Sequence, residues 1–271
     1  MADDLKIGIV GGAGRMGQMN VIQATATEGC VIAGATESPG HAALGEDVGS
    51  LAGLGPLGVE LGDDPAAMIA GVDVVVDFTV PQATVETARL AAQAGAALVA
   101  GTTGLDPEQE AEIEKATRHV AVVRAANMSV GVTVLAALTE QVAGMLGPDY
   151  DIEVLEMHHR HKIDAPSGTA LALGTAAAAG RKVALDDVKQ AVRDGHTGAR
   201  PSGEIGFATL RGGDVAGEHS VIFATDGERL VLQHKASSRR VFAVGAVRAA
   251  LWTRDRPAGL YNMRHVLGFE N

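Results

Sequence analysis

Leu5-Lys6-Ile7-Gly8-Ile9-Val10-Gly11-Gly12-Ala13-Gly14-Arg15-Met16-Gly17 runs from an apolar stretch directly into G-x-G-x-x-G, Gly12 to Gly17. This is where a first strand should hand over to a first helix. Gly12 then allows the tight turn, Gly14 lets a pyrophosphate approach the helix N-terminus, and Gly17 lets helix and strand pack closely. A glycine-rich turn without a ligand is the competing reading. Context decides against it, because Glu37 ends the presumed second strand 20 residues after Gly17, where a ribose-binding carboxylate belongs.

Working outward, short apolar runs alternate with Ala-rich stretches. Leu5 to Val10, Val31 to Ala35, Val72 to Phe78, Ala97 to Ala100 and Val120 to Val123 are near-continuously apolar rather than alternating, as expected of parallel strands covered on both faces. Helices are expected at Arg15 to Thr25, Asp64 to Ala70, Pro81 to Gln93 and Pro107 to Thr117, with Asp64-Pro65 and Asp106-Pro107 as start signals. The expected fold class is α/β: a Rossmann-type doubly wound parallel sheet with a second α+β domain. In that second region a helix over Val130 to Met145 and a strand over Ile152 to Met157 lead into a His-rich loop and an Ala-rich helix. Ile205 to Arg211, Glu218 to Ala224 and Arg229 to Lys235, separated by Gly-containing turns, suit an antiparallel sheet. Arg239 to Trp252 is again an amphipathic helix. The expected division is a dinucleotide-binding domain of residues 1–128 and 239–271, with 129–238 between them.

Composition excludes several functions. The 271 residues carry 22 Lys+Arg against 33 Asp+Glu, a net charge of −11 with pI near 5.2, so no general grip on nucleic acid or an anionic membrane is expected. Aromatics are 3%, too few for base-stacking platforms. The single cysteine, Cys30, excludes a disulfide framework and Cys-based metal clusters. With no signal peptide and no uninterrupted apolar run of membrane length in the sequence, a cytoplasmic location is expected.

In so acidic a chain, His158-His159-Arg160-His161-Lys162 needs explaining. It lies just past a strand, on a loop running through Asp164-Ala165-Pro166 to Ser167-Gly168-Thr169, where Ser167 can cap a helix and nearby N–H groups can hold a carboxylate. A metal site is disfavoured, since neighbouring side chains on an extended segment diverge and the flanking Arg and Lys repel a cation. A solvated charge run is the bland alternative. Best supported is an anionic-substrate site with a titratable acid, suited to a small di- or tricarboxylate. Beside a dinucleotide domain this implies hydride transfer assisted by a proton donor. Between Arg15 and Arg89 no Lys or Arg occurs, so nothing basic beside Glu37 awaits a 2′-phosphate, and NADH is favoured over NADPH.

Gly11 to Gly17, Gly101-Thr102-Thr103-Gly104, Ala125-Ala126-Asn127, and above all Glu156 to Lys162 with Asp164 to Ala170, resemble the dihydrodipicolinate reductase (4-hydroxy-tetrahydrodipicolinate reductase) family. So do Gly195 to Gly198, Ile205 to Ala208 and Lys235 to Arg239, making the resemblance nearly end to end. It implies reduction of 4-hydroxy-tetrahydrodipicolinate to tetrahydrodipicolinate by NADH or NADPH, on the diaminopimelate route to lysine, in a homotetramer whose middle domain binds substrate. By the same resemblance His158 is proton donor or acceptor, Lys162 a second donor, and His159, Gly168 and Thr169 bind the cyclic dicarboxylate. Gly11, Gly12, Ala13, Gly14, Arg15, Met16, Glu37, Gly101, Thr102, Thr103, Ala125, Ala126, Asn127 and Met128 would hold the cofactor; no metal is implied. The chain departs from the family at Ser38 and Val80, where Arg is common, and at Met128, where an aromatic is common. A reductase of another dicarboxylic imine or keto acid, and a non-catalytic NAD-binding sensor, are the alternatives.

Overall fold

The structure is a computed structural model that describes residues 3–270. In chain order its elements are β1 (Leu5–Val10), α1 (Arg15–Thr25), β2 (Cys30–Thr36), α2 (Val48–Leu51), β3 (Leu61–Gly62), α3 (Pro65–Ile69), β4 (Val74–Asp77), α4 (Pro81–Ala94), β5 (Ala97–Ala100), α5 (Pro107–Ala116), β6 (Ala121–Arg124), α6 (Val130–Leu146), β7 (Asp151–His158), α7 (Gly168–Gly180), α8 (Leu185–Val188), β8 (Lys189–Gln190), β9 (Ile205–Arg211), β10 (Gly217–Thr225), β11 (Glu228–Ala236), α9 (Arg240–Thr253), β12 (Gly259–Tyr261) and α10 (Met263–Val266). They divide into two compact units: residues up to Val130 together with those from Arg240 onward, and Gly131–Arg239.

The first unit is a parallel sheet in the order β12-β6-β5-β4-β1-β2-β3. After β1 the chain goes to β2 on one side and then to β4 on the other, so the strand order reverses between β1 and β4, and open α/β sheets bind ligands at that point, past the strands' carboxyl ends. Ile7, Ile9, Val74, Val75 and Val76 are fully buried, each contributing about 1.5–3 kcal/mol of apolar transfer, an upper bound given residual burial in the unfolded chain. Asp64 and Asp106 cap α3 and α5 as their Asp-Pro pairs signal. From α9, Ala246, Val247, Ala249 and Ala250 enter the core that holds Ile7 and Ile9. The three-residue strand β12, too short to register as a periodic run, extends the sheet beyond β6.

The second unit is a five-stranded sheet in the order β11-β10-β7-β9-β8. The antiparallel expectation needs correction. β10 pairs antiparallel with both β11 and β7, but β9 pairs parallel with β7, and β8 parallel with β9. The reason is the connection: α7 leads the chain back across the sheet before β9 begins, and such a crossover produces parallel neighbours. Strand alternation sorts the residues by face. Ile152 and Val154 of β7, Ile205 and Phe207 of β9, and Val221 and Phe223 of β10 are buried against Leu135 and Ala143 of α6 and Leu173, Ala177 and Ala178 of α7. Taken with the turn to Asp149, α6 is long and apolar enough to cross a membrane by length and composition alone, and its Leu135 and Ala143 pack into this unit's core.

Candidate active site

In the first unit the crevice is made of strand ends. The N–H groups of Gly11 and Gly12 donate to Thr36 O at 2.8 and 2.9 Å, fastening the glycine loop to the end of β2 and so beside Glu37. The left-handed residue is Gly11, φ +74°, so the turn assigned to Gly12 belongs one residue earlier. Gly12 is required for space: a Cβ there would lie 2.9 Å from Leu61 Cδ1 and 3.0 Å from Ala35 Cβ. A Cβ on Gly17 would lie 2.0 Å from Gly11 O. α1 starts at an exposed Gly14 and, among the described residues, has no side-chain cap and no acid in its first turn. Its leading N–H groups and positive dipole end are therefore left for an anion, which fits a dinucleotide pyrophosphate.

The other strand ends complete the crevice. Glu37 is half-buried, and its Oε1 accepts Ser38 N–H at 3.0 Å. Asp77 ends the otherwise apolar β4 fully buried; its Oδ1 accepts Thr79 N–H (2.9 Å), Thr79 Oγ1–H (2.6 Å) and Thr102 Oγ1–H (3.3 Å). Burial pushes this carboxyl up against the opposing pull of the Thr79 bonds. Through Thr102 the network fixes Gly101 to Thr103, of which Thr103 is exposed. Asn127 Oδ1 accepts Ser129 N–H at 2.8 Å, and Ala125 N–H donates to Ala100 O at 3.2 Å. Ala125, Ala126 and Asn127 thus stand beside the Gly101 loop. Met128 has its side chain in the core, 1% exposed, so it offers the crevice its main chain. Sequence reasoning passed over Asp77; a lone acid closing an apolar strand was the signal.

The second unit's site continues the face that carries its core. Along β7 the inward residues run Ile152, Val154, Glu156, His158; along β9, Ile205, Phe207, Thr209, Arg211; along β10, in reverse, Phe223, Val221, His219. Each strand turns from apolar to polar at the same end. Glu156, 1% exposed, accepts His158 Nδ1 at 2.5 Å and Arg211 Nη1 at 2.8 Å on Oε2, and Arg211 Nη2 at 2.9 Å and Ser167 N–H at 3.0 Å on Oε1. Burial works to raise its pKa, but the Arg211 guanidinium above all, then His158 and the Ser167 N–H, hold it below the ordinary carboxylate value. Ser167 caps α7 by accepting Ala170 N–H, and its Oγ lies 3.1 Å from His219 Nε2. His219 is pushed down to about 4, by desolvation first and then by His158, and is neutral at working pH.

The loop after β7 is tied to the β9–β10 connection: His159 N–H donates to Val215 O at 2.8 Å and Gly212 N–H to His158 O at 3.0 Å. Lys162 pairs with Asp164 at 2.8 Å. Desolvation, then the charges of Arg239, His158, His161 and Lys162, lowers the pKa of His159. Arg239 therefore joins the cationic cluster, while Lys235 pairs with Glu218 at 3.4 Å. Gly168 is exposed and Thr169 half-buried at the start of α7. His158, His159, Lys162, Gly168 and Thr169 are thus brought to one end of this unit. Glu156, Arg211 and His219 were missed by sequence reasoning, although the period-two pattern through Ile152 and Val154 places Glu156 and His158 on the buried face.

Two family models match the chain: one described as dihydrodipicolinate reductase, N-terminus, over residues 5–128, and one described as dihydrodipicolinate reductase, C-terminus, over residues 131–267. A protein of Chelativorans sp. (strain BNC1) named 4-hydroxy-tetrahydrodipicolinate reductase is 56% identical over 268 residues, 98% of this chain and 97% of the relative. One of the same name from Rhizobium rhizogenes (strain K84 / ATCC BAA-868) is 54% identical over 270 residues, 99% of this chain and 98% of the relative. Among solved structures, a dipicolinate-bound dihydrodipicolinate reductase from Paenisporosarcina sp. TG-14 superposes with a TM-score of 0.75 at 22% identity, over 96% of this chain and 97% of that one, a likeness of fold. Matched by both models and by relatives along nearly its whole length, the chain belongs to the dihydrodipicolinate reductase family.

Proposed function

We propose that the chain reduces 4-hydroxy-tetrahydrodipicolinate to tetrahydrodipicolinate, taking up a hydride and a proton and releasing water, on the diaminopimelate route to lysine. One observation carries the reading: His158, His159 and Lys162 gather with the start of α7 at the polar end of the second unit's sheet, a cationic place for a small dicarboxylate. A reduced nicotinamide, when bound through the Gly11 to Met16 loop, Glu37, Gly101 to Thr103 and Ala125 to Met128, supplies the hydride. This chain's residues do the rest. His159, with the N–H groups of Gly168 and Thr169, binds substrate carboxylates against the helix dipole. His158 gives the proton from Nε2, and Lys162, released from Asp164 by an incoming carboxylate, is the second donor. The test is synthase-dependent loss of reduced-nicotinamide absorbance, with aspartate semialdehyde and pyruvate generating the substrate in the cuvette. Cofactor binding without turnover under those conditions sinks the reading.

The cofactor preferred is NADH, with NADPH accepted less well. Ser38 follows Glu37 where a cation would meet a 2′-phosphate, and Val80, 60% exposed, offers no charge either. Ser38→Arg is expected to raise kcat/KM for NADPH about 10-fold, equivalent to ~1.4 kcal/mol, with a smaller change for NADH. Steady-state kinetics with both cofactors decide it: a wild-type enzyme already faster at low NADPH contradicts the preference.

The chain is further proposed to work as a cytoplasmic homotetramer. Support for assembly comes from the second unit's other sheet face, where Leu155, Leu210, Ile222 and Val231 align and Leu210 and Val231 are about half exposed. Light scattering should give four times the chain mass, and Val231→Lys should lower it; a monomeric wild type at micromolar concentration refutes assembly.

A further inference from the structure

Building on the proposed role of His158, we propose that Glu156, held by Arg211, is a positioning residue that selects the tautomer of the catalytic imidazole. All of the groups found on Glu156 besides the imidazole are donors: both Arg211 terminal nitrogens and the Ser167 N–H, with Thr209 Oγ1 at 3.4 Å. A carboxylate so surrounded stays ionised and accepts only. Nδ1 of His158, 2.5 Å away, must therefore carry the hydrogen. Nε2 is left as the working nitrogen, acceptor when neutral and donor when protonated, on the side of Gly217, where a Cβ would lie 3.1 Å from it.

What Glu156 supplies is orientation, because Arg211 sits on the same carboxylate with the opposite charge. Glu156 and Arg211 act on the imidazolium with opposite signs, and both the guanidinium and the ring meet the same carboxylate oxygen, Arg211 Nη1 at 2.8 Å from Oε2. Arg211 opposes the carboxylate's charge while leaving the Glu156–His158 hydrogen bond intact. The other groups facing the ring are His219 from β10, neutral and edge-on at 5.1 Å between centroids, and, from the loop, His159, whose pKa is lowered, and the cation Lys162; His234 of β11 acts on His219. None of these supplies a second acceptor for Nδ1, and Ser167 is already engaged with His219 and α7.

Glu156→Gln tests it. Arg211 and the Ser167 N–H claim the amide oxygen, which turns the amide NH2 toward His158 and forces Nδ1 to accept. The imidazole then carries its hydrogen on Nε2, and the imidazolium meets a donor at Nδ1. Turnover should fall about 10²-fold or more, the limb of the pH profile that needs protonated His158 should move to lower pH, and cofactor binding should be unchanged. In ¹⁵N spectra the His158 ring should switch from the Nδ1–H to the Nε2–H form. Because an unpaired Arg211 could also damage folding, Glu156→Gln/Arg211→Met removes both charges. Its pH profile should return toward wild type while turnover stays low, since no acceptor then fixes the ring. Turnover within about threefold of wild type in Glu156→Gln, or a loss with the Nδ1–H form unchanged, overturns the proposal. Should the wild type show no reductase activity, the functional reading fails, yet the spectra still decide the tautomer.

Discussion

Replacing His158 with glutamine is expected to lower turnover about 10²- to 10⁴-fold, the range seen when a general acid is removed, with the cofactor dissociation constant within about twofold of wild type. The separation follows from the architecture: His158 ends β7 in the second unit, whereas the glycine loop, Glu37 and the Gly101 loop belong to the first. Glutamine is the informative replacement. Its side-chain amide can donate to Glu156 Oε2 as the ring does, so the buried carboxylate keeps a partner and the cost in stability stays small. What is lost is a group that can release a proton near neutral pH. The residual rate should come from hydride donor and substrate held together, and from Lys162. Lys162→Met alone should cost less than His158→Gln, because Lys162 begins in an ion pair with Asp164. Stopped-flow single turnover and a fluorescence titration with NADH separate the two quantities. If both fall together with a lowered melting temperature, His158 is a structural residue and the proton donor is elsewhere.

The first unit was legible in the chain because its signals are local. Leu5 to Val10 is apolar but for Lys6, Asp64-Pro65 and Asp106-Pro107 start helices that the structure caps as expected, and Glu37 stands where the motif requires an acid. Adjacent β1 and β2 bring glycine loop and acid together with few degrees of freedom. The same local reading misplaced the turn by one residue, since G-x-G-x-x-G counted from Gly12 does not reveal that Gly11 adopts the positive φ. The second unit was harder because its sheet order is set by connections. Ile205 to Arg211 reads equally well as a parallel or an antiparallel strand, and only the crossover through α7 decides that it lies beside β7.

The candidate site shows the same division. His158, His159 and Lys162 are contiguous and conspicuous in an acidic chain, and Ser167 announces a helix start. Glu156 and Arg211 are 55 residues apart in sequence and meet through the β7–β9 register, His158 opposite Arg211 and Glu156 opposite Thr209. Each alone reads as a surface charge. Burial of a carboxylate to 1% exposure is tolerable only because the guanidinium arrives in bidentate geometry, so the pair is visible only once the sheet is assembled.

Gly17→Ala is the corresponding test in the first unit, and it should weaken NADH binding about 100-fold or more. The added Cβ would lie 2.0 Å from Gly11 O and 2.8 Å from Gly11 C and Gly12 Cα, all main-chain atoms of the glycine loop. No side-chain rotation relieves such a contact, so α1 and the loop must separate. Alanine favours a helix over glycine by about 0.5–1 kcal/mol, whereas overpacking of this kind costs about 1–3 kcal/mol, and the clash therefore prevails. The displaced atoms include Gly11 and Gly12, whose N–H groups fasten the loop to Thr36 O, so the leading N–H groups of α1, proposed to take the pyrophosphate, lose their placement beside the loop. Gly71→Ala, whose Cβ would meet nothing closer than Met68 O at 3.6 Å, is the control and should leave binding unchanged. Calorimetric titration of both variants with NADH, beside their thermal unfolding, gives the answer. Binding retained by Gly17→Ala within about threefold would mean that the loop yields without cost, and the close approach of α1 to Gly11 would then have no part in holding the cofactor.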